Sequence, residues 1–143
     1  MTQYPQPAYH FRVDWGGTRI GVSEVSGLSI ERAVTEHFDG SDPVSTARKM
    51  PGIVKFTNIV LKRGLVSGDN EFFEWFNTAQ LNTVERRDMT IMLLDEQHQP
   101  RVVWKVRNAF PCKYSGPELR ANSSAAALET LELAHDGLVV EMA

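Results

Sequence analysis

The stretch that most constrains the fold of this chain is Met50–Gly64, which reads MPGIVKFTNIVLKRG. It opens on Pro51-Gly52, a dipeptide typical of turns because proline fixes φ and glycine accepts positive φ. Beyond this turn, alternation predicts one strand that is apolar on both faces, with Ile53, Ile59 and Leu61 on one face and Val54, Phe56 and Val60 on the other. Such a strand needs a covering layer on each side. It is either a central strand of an ordinary sandwich or a strand that is sealed by another subunit.

Length and composition limit the number of domains and the classes of function that the chain can have. With 143 residues, the chain is expected to form one domain, residues 1–143. A net charge of −3 argues against a surface that grips nucleic acid, which requires a basic footprint. The single cysteine, Cys112, excludes an internal disulfide framework and a cysteine-rich zinc site. We expect Cys112 to be an inert buried thiol.

The N-terminal residues MTQYPQPAYHF carry neither the basic region nor the apolar region of a signal peptide. No apolar run approaches the roughly 18 residues that a membrane span requires. We therefore expect synthesis in the cytoplasm without a signal peptide and no direct membrane insertion. Residues 1–7 are expected to form a polar arm that is poorly ordered on its own.

Alternation and turn residues together predict a β-rich domain of about eight strands. Ala125–His135 has helical propensity, but its alternation also suits a strand, and we interpret it as a strand. The Asp136-Gly137 turn after it supports this interpretation. The predicted strands are Phe11–Trp15, Arg19–Val25, Leu28–Phe38, Ile53–Leu61, Asp88–Asp95, Arg101–Asn108, Ala125–His135 and a short last strand at 138–140.

One helix is expected in the middle of the chain. An N-cap is available at Gly68–Asn70. The apolar side chains that follow it recur at i, i+3, i+4 and i+7, which is the spacing of one buried helical stripe. We expect the stripe to be part of the core, and its members are Phe72, Trp75, Phe76 and Ala79.

A polar segment, DGSDPVSTARKM, connects two of the predicted strands at residues 39–50. Loops of this length without structure of their own are uncommon in compact domains, and they usually bind something or move. The segment is therefore a candidate contact region.

Residues that could carry chemistry are scattered. His10, His37, His98 and His135 lack the spacing of a metal-binding motif. No G-x-S-x-G segment or phosphate-binding glycine loop occurs. The adjacent His135 and Asp136 are expected to point apart at a structural turn. We expect no catalytic residue, no cofactor and no metal, and we interpret a β-rich domain with unsealed faces as an assembly protein.

Several short motifs carry a resemblance to a known family. Gly21–Leu28, GVSEVSGL, resembles the (F/V)-S-E-V-S-G-L segment of contractile phage tail tube proteins and of their relatives in extracellular contractile injection systems. The match runs in order from Phe11 to Leu138, with Phe110 at a position where tryptophan often stands. The other matching segments are Met50-Pro51-Gly52 with Leu61–Gly64, Trp75, Arg86–Asp88, Asn108–Pro111 with Lys113-Tyr114, and Glu129–His135.

This resemblance implies an architecture that the residues alone do not specify. Two packed antiparallel β-sheets would form a β-barrel-like sandwich with one flanking α-helix, a fold shared with the haemolysin-coregulated proteins of type VI secretion. Six protomers would form a ring, and rings would stack into a tube inside a contractile sheath. The N-terminal arm and the polar loop would reach the adjoining ring, which makes inter-ring contacts of Asp39, Gly40, Ser41, Asp42, Pro43, Val44, Ser45, Thr46, Ala47, Arg48 and Lys49.

The implied function is that of an inner-tube subunit, a conduit driven through a target envelope by sheath contraction. Its partners would be further copies of itself, the sheath protein, baseplate or hub and terminator proteins, and a cargo of DNA or protein effectors. Alternatives are a tube-initiating or adaptor ring at the baseplate, and a small monomeric β-barrel binding module or hydrolase. The polar lumen would be lined from alternating strands, with candidates Glu31, Thr35, Lys55, Arg101, Lys105 and Arg107.

Overall fold

A computed structural model describes residues 10–16, 18–37, 40, 48–65, 68–77, 85–122 and 126–142. Ten strands and one short helix form within these ranges. They are β1 (Phe11–Trp15), β2 (Thr18–Ile20), β3 (Glu24–Ser26), β4 (Ile30–His37), β5 (Arg48–Phe56), β6 (Ile59–Gly64), α1 (Glu71–Phe76), β7 (Arg87–Leu94), β8 (Pro100–Ser115), β9 (Leu128–Ala134) and β10 (Gly137–Met142).

Every strand pairing is antiparallel, and the strands fall into two groups. Seven strands follow the order β2-β1-β7-β8-β9-β6-β3, and an eighth, β10, pairs with β8. The remaining two, β4 and β5, pair only with each other. The order of the described strands is an open path that ends at β2 and β3, so these strands do not close into a barrel.

The long strand β8 turns a corner and so belongs to two layers. Its first part pairs with β7 and β10, and its last part, from Phe110, pairs with β9. At the corner, Asn108 has a φ of 53° and the register shifts between Pro111 and Lys113. We call β2, β1, β7, β10 and the first part of β8 the β7 layer. The last part of β8 with β9, β6 and β3 is the β9 layer.

The hydrophobic core lies between these two layers. The β7 layer contributes Val13, Ile91 and Val106, while Ile59 and Leu131 are among those that enter from the β9 layer. Strict alternation places these side chains on one face of each strand, since successive residues of a strand point to opposite sides. The helix closes one side of the core.

The predicted strand Ile53–Leu61 is wrong as a single element. It breaks at Thr57 and Asn58 into β5, which leaves the sandwich, and β6, which lies at its centre. Of its six apolar residues, Ile59 and Leu61 are fully buried, Phe56 packs partly on the core, Val54 and Val60 are intermediate, and Ile53 is 76% exposed.

The expected turn at Pro51-Gly52 is also wrong, because both residues lie inside β5. Pro51 faces Val34, and a bulge follows at Gly52. Proline is tolerated because β5 pairs on one side only, so its missing N–H costs no second ladder bond. A Cβ on Gly52 would come within 2.9 Å of the Ala33 carbonyl oxygen, which explains the glycine.

Three other boundaries differ from the sequence prediction. The loop at 39–50 is shorter, because Arg48, Lys49 and Met50 begin β5. Arg19–Val25 divides into β2 and β3 around residues 21–23. The third strand begins at Ile30, and Phe38, Asp39, residues 41–47 and the arm at 1–7 lie outside the described residues.

The helix is confirmed but short, because it ends at Phe76 with Asn77 as its C-cap. Phe72 and Trp75 are fully buried and Phe76 is partly buried, as the stripe predicts, while Ala79 lies outside the described residues. Asn70 makes no side-chain cap; instead the Asp69 carboxylate accepts a hydrogen bond from the Glu71 N–H at 3.3 Å.

In the second half of the chain β7, β9 and β10 lie near the expected places, whereas β8 continues past its predicted end at Asn108, through Pro111, to Ser115. Cys112 also differs from the prediction, because its residue is exposed rather than buried. Partial desolvation, followed by the nearby Glu132 carboxylate, raises the pKa of its thiol. The thiol therefore stays protonated at neutral pH although it is accessible.

Candidate assembly surfaces

The β4–β5 hairpin is the least covered part of the described chain. All eight residues of β4 are exposed, as are most of those in β5. Its ladder runs from the Ile30–Phe56 pair to the His37–Arg48 pair, and neither strand pairs with any other described strand. A two-stranded ribbon is marginally stable in water unless something packs against it.

Apolar side chains stand on both faces of this hairpin. Ile30 and Val34 share a face with Phe56, while Met50 and Ile53 stand on the opposite face, by the alternation of the paired strands. Val34 is 61% exposed, and Ile30 and Met50 are each about half exposed. Scattered surface hydrophobics are normal, but several on both sides of one ribbon make it a candidate contact surface.

The base of the hairpin is held rigidly. Gly27 has a φ of 86°, and a Cβ built on it would fall 2.0 Å from the Asn58 carbonyl oxygen. The Thr57 hydroxyl donates to the Gly27 carbonyl at 2.9 Å, and the Thr57 N–H donates to Ser29 at 3.3 Å. The ribbon therefore leaves the sandwich in a fixed direction.

His135 braces the same junction from the other side. Its Nε2 lies 3.0 Å from the Thr57 carbonyl oxygen and its Nδ1 lies 3.2 Å from the Gly137 carbonyl oxygen. The neighbouring Asp136 points elsewhere, toward Arg86 and Asn108. The expected structural turn is confirmed, and the two side chains form no acid–base pair.

A buried ionic cluster ties α1 to the β9 layer. Arg63 donates to Glu129 at 2.6 Å and to both carboxylate oxygens of Asp69 at 3.1 Å, and its guanidinium lies 4.2 Å from the centre of the Phe72 ring. The Tyr114 hydroxyl donates to the other Glu129 oxygen at 2.8 Å. Desolvation is the main reason that the pKa of Tyr114 is raised, and the hydrogen bond to Glu129 raises it further. A buried pair like this positions elements rather than adding much net stability.

This cluster was not predicted from the sequence, although the strand pattern contains a signal for it. Arg63 continues the alternation of Ile59 and Leu61, and Glu129 precedes Leu131 and Leu133 on the same face of β9. Opposite charges on the core faces of two strands could have been paired from this pattern alone.

The helix contributes an aromatic cluster at the other end of the core. Trp15 packs edge-on against Trp75 at 4.9 Å between ring centres, and the Trp75 indole N–H donates to the Glu85 carbonyl at 2.9 Å. The Arg87 guanidinium lies 4.7 Å from the Trp75 ring centre. This cation–π contact fixes the start of β7 beside the helix.

The six lumen candidates from the sequence lie on two separate surfaces. Glu31, Thr35 and Lys55 share one face of the β4–β5 hairpin, where Glu31 is directly opposite Lys55. The other three lie on β8 in the β7 layer, where Lys105 contacts Glu141 at 3.2 Å and Arg101 contacts Asp95 at 2.8 Å. These other three are Arg101, Lys105 and Arg107.

Asp95 closes the turn between β7 and β8. It accepts hydrogen bonds from the Gln97 and Gln99 N–H groups, each at 2.9 Å. The hydrogen bond from the Gln99 N–H has the largest effect and lowers the pKa of Asp95. The Arg101 guanidinium and the Gln97 N–H lower it further. Arg101 is therefore engaged in holding a turn.

Within the described ranges, no group of three or more His, Cys, Asp or Glu side chains is arranged to hold a metal ion. No helix in the same part of the chain is long and apolar enough to cross a membrane.

The fold places the protein in the class of open two-layer β-sandwiches, here with an exposed apolar ribbon and strand edges that no described strand covers. More particularly, this chain belongs to the T4-like virus tail tube protein gp19 family, whose model matches residues 7–139. A comparison with curated proteins finds no match.

Solved structures agree with this assignment. One similar chain comes from the cryo-EM structure of an extracellular contractile injection system, the PVC sheath–tube complex in its extended state. It is 37% identical to this chain, with a TM-score of 0.91, and the match covers 99% of this chain and 94% of that one. It is 35% identical, with a TM-score of 0.93, to a chain in the anti-feeding prophage tube-terminating cap, covering 100% and 95%.

More distant structures share the fold alone. Hcp1 from Flavobacterium johnsoniae is 17% identical with a TM-score of 0.58, and the match covers 93% of this chain and 95% of that one. The expected kinship of fold with the haemolysin-coregulated proteins is confirmed.

Proposed function

We propose that this protein is the repeating subunit of the inner tube of a contractile injection particle, in which rings of six copies stack into a hollow conduit. The observation that carries the proposal is the β4–β5 hairpin, on which Ile30 and Val34 on one face and Met50 and Ile53 on the other are half exposed or more in the described chain. Membership of the tail tube family and likeness to a sheath–tube complex support it.

Ring closure has a natural route through the β9 layer. One edge of this layer is β3. The other is the part of β8 between residues 111 and 115, on the side that faces away from β9, where no described strand pairs with it. Pairing of β8 in one copy with β3 in the next would satisfy both rows of backbone groups. A closed ring then leaves no edge for uncontrolled pairing.

Stacking would use the tip of the hairpin. Residues 39–47 lie between β4 and β5 in the sequence, and Arg48 and Lys49 begin β5. We assign the contacts with the adjoining ring to this segment and to the N-terminal arm. Head-to-tail contacts of this kind are open-ended and generate filaments.

The proposed role is mechanical and involves no reaction. The partners would be the surrounding sheath protein, baseplate or hub and terminator proteins at the ends, and a cargo of DNA or protein effectors inside. The mature location would be the assembled particle.

The experiment that tests this is an assembly assay on the purified protein. Native mass spectrometry is expected to find six copies per ring, and negative-stain electron microscopy is expected to show rings and short stacks as concentration rises. A stable monomer at every concentration would contradict the proposal and would favour a monomeric binding module or hydrolase.

A tube-initiating or adaptor ring is the second candidate. It is favoured by a fold match with a TM-score of 0.88, at 22% identity, to a chain in the anti-feeding prophage baseplate structure. The two roles differ in copy number, because an initiator forms one ring per particle. Purified protein that stops at single rings at high concentration would favour the adaptor.

A further inference from the structure

The side chain of His135 lies between two backbone carbonyl groups that belong to different elements. Its Nε2 is 3.0 Å from the Thr57 carbonyl oxygen, and its Nδ1 is 3.2 Å from the Gly137 carbonyl oxygen. A carbonyl oxygen can only accept a hydrogen bond, and a neutral imidazole has one N–H and one bare nitrogen. The neutral ring therefore satisfies one of these contacts, whereas the protonated ring donates to both.

Both carbonyl groups are held in place by contacts other than those to the histidine. Thr57 lies at the break between β5 and β6, where its hydroxyl donates to the Gly27 carbonyl at 2.9 Å. At the other acceptor, the Asp136 N–H donates to the Arg107 carbonyl at 3.0 Å, and Gly137 pairs with Arg107 across β10 and β8. The two oxygens are thus fixed on either side of the ring.

An aromatic neighbour also suits a positive charge at this position. The Phe56 ring lies 5.5 Å from the His135 ring, measured between ring centres. This separation is within the roughly 6 Å over which an aromatic ring attracts a cation. Phe56 is the last residue of β5, so this contact again involves the base of the hairpin.

The charged and titratable groups at this junction have both signs. The Arg107 guanidinium lies beside the start of β10, 3.1 Å from the position of a Cβ on its first residue. The Asp136 carboxylate lies 3.4 Å from the Arg86 guanidinium. Lys55 precedes the last residue of β5 and points to the opposite face of the hairpin. On β8, the Cys112 sulfur is 3.8 Å from the side-chain amide nitrogen of the residue that follows Thr57.

We infer that His135 is a proton-dependent clamp. When the ring carries two protons, it joins the base of the β4–β5 hairpin to the turn between β9 and β10. When the ring loses one proton, one of the two links opens. Histidine suits this role because imidazole is the side chain whose charge changes most readily between pH 5 and 8. The inference concerns the fold of one copy, so it does not depend on the proposed tube function.

The clamp is important because of the element that it holds. Neither strand of the hairpin pairs with any other described strand, so the hairpin depends on the junction at its base for its orientation. With either link open, one side chain no longer ties the hairpin base to the turn. The hairpin is then expected to sample a wider range of orientations.

Nuclear magnetic resonance of the parent protein tests the two contacts directly. The histidine side chains are labelled with ¹⁵N and the backbone carbonyls with ¹³C, and magic-angle spinning of the sedimented protein makes the measurement independent of its assembly. Both nitrogens of His135 are expected to carry a proton at pH 6 and only one of them at pH 9. The carbonyl resonance of Thr57 or Gly137 is expected to shift with the same pH midpoint as the ring nitrogens.

A variant measures the effect on the hairpin. His135→Gln keeps one side-chain donor but removes the titration, and His37→Gln, at an exposed position on β4, is the matched control. Hydrogen exchange of the β4 and β5 amides is followed by mass spectrometry and corrected for the intrinsic effect of pH on exchange. Protection in the parent and in His37→Gln is expected to fall by roughly threefold or more between pH 6 and pH 8, as for the loss of one hydrogen bond. Protection in His135→Gln is expected to stay constant.

Two outcomes overturn the inference. If His135 carries a single proton at pH 6, or if neither carbonyl resonance follows its titration, the ring does not bridge the two elements. If the parent and His135→Gln show the same dependence of hairpin protection on pH, the histidine does not hold the hairpin. The first outcome is measured on the parent protein, so it stands even where His135→Gln fails to fold.

Discussion

At the scale of single residues, the attachment of the hairpin depends on Gly27. Its φ of 86° and the 2.0 Å separation between a Cβ at this position and the Asn58 oxygen leave no room for a side chain. We predict that Gly27→Ala lowers the free energy of unfolding by roughly 1–3 kcal/mol, the usual cost of such backbone strain. Urea unfolding followed by tryptophan fluorescence measures this change.

Gly21→Ala is the matched control, because a Cβ there meets nothing within 4 Å and its φ is not positive. It is expected to leave the unfolding midpoint within experimental error. Equal losses for both variants would mean that the junction at Gly27 is not rigid.

Tyr114 gives the fold a dependence on alkaline pH. Its hydroxyl donates to Glu129, and burial with this contact raises its pKa above the ordinary value of 10.0. The folded state therefore holds the phenol proton more tightly than the unfolded state does. This contribution is complete below pH 10 and is lost as the pH rises through the higher pKa of the folded protein.

We predict that Tyr114→Phe lowers the free energy of unfolding by about 1.5–3 kcal/mol at pH 7, the usual contribution of a hydrogen bond to a charged acceptor. The variant should also lose less stability than the parent between pH 9 and pH 11. Parallel unfolding curves across this range would show that the phenol is not linked to folding.

At the scale of elements, local patterns predicted most strands but not the path of the chain. β1, β7 and β9 follow from alternation next to turn residues, which act over a few positions. The break at Thr57 and Asn58 is imposed by Gly27 and Ser29, which are distant in sequence, so no pattern within Met50–Gly64 reveals it. The exposed hairpin could not be predicted either, because its apolar pattern is that of a buried strand.

Ile53 and Ile59 separate folding from assembly. Both were assigned to one strand, yet Ile53 is 76% exposed on β5 and Ile59 is fully buried in β6. We predict that Ile59→Asp prevents soluble folding, because a buried unpaired charge costs several kcal/mol. Ile53→Asp should change the stability of the monomeric fold by no more than about 0.5 kcal/mol, as at other exposed sites.

The readout for Ile53→Asp is assembly. Circular dichroism is expected to match the parent, while size-exclusion chromatography should show fewer rings. Normal rings and tubes from Ile53→Asp would remove this face of the hairpin from the subunit contacts.

At the scale of the whole molecule, the described chain leaves its burial incomplete in one direction. The core between the layers is closed by the helix, whereas the hairpin and the edges of the β9 layer have no further strand partner in the described part of the chain. The sequence indicated an unsealed protein from apolar residues on both faces of one stretch.

Stacking can be separated from ring closure by the segment between β4 and β5. The hairpin strands and the β9-layer edges lie outside residues 39–47, so replacing these residues by a short Gly-Ser linker leaves the proposed ring contacts in place. Arg48 and Lys49 are retained because they begin β5. We predict that the variant forms six-membered rings by native mass spectrometry but no stacks by electron microscopy.

A Gly-Ser segment of the original length separates the effect of loop length from the effect of loop sequence. If this segment restores stacks, then only the length of the loop is needed. Tubes of normal length from the short-linker variant would show that ring-to-ring contacts lie elsewhere on the subunit.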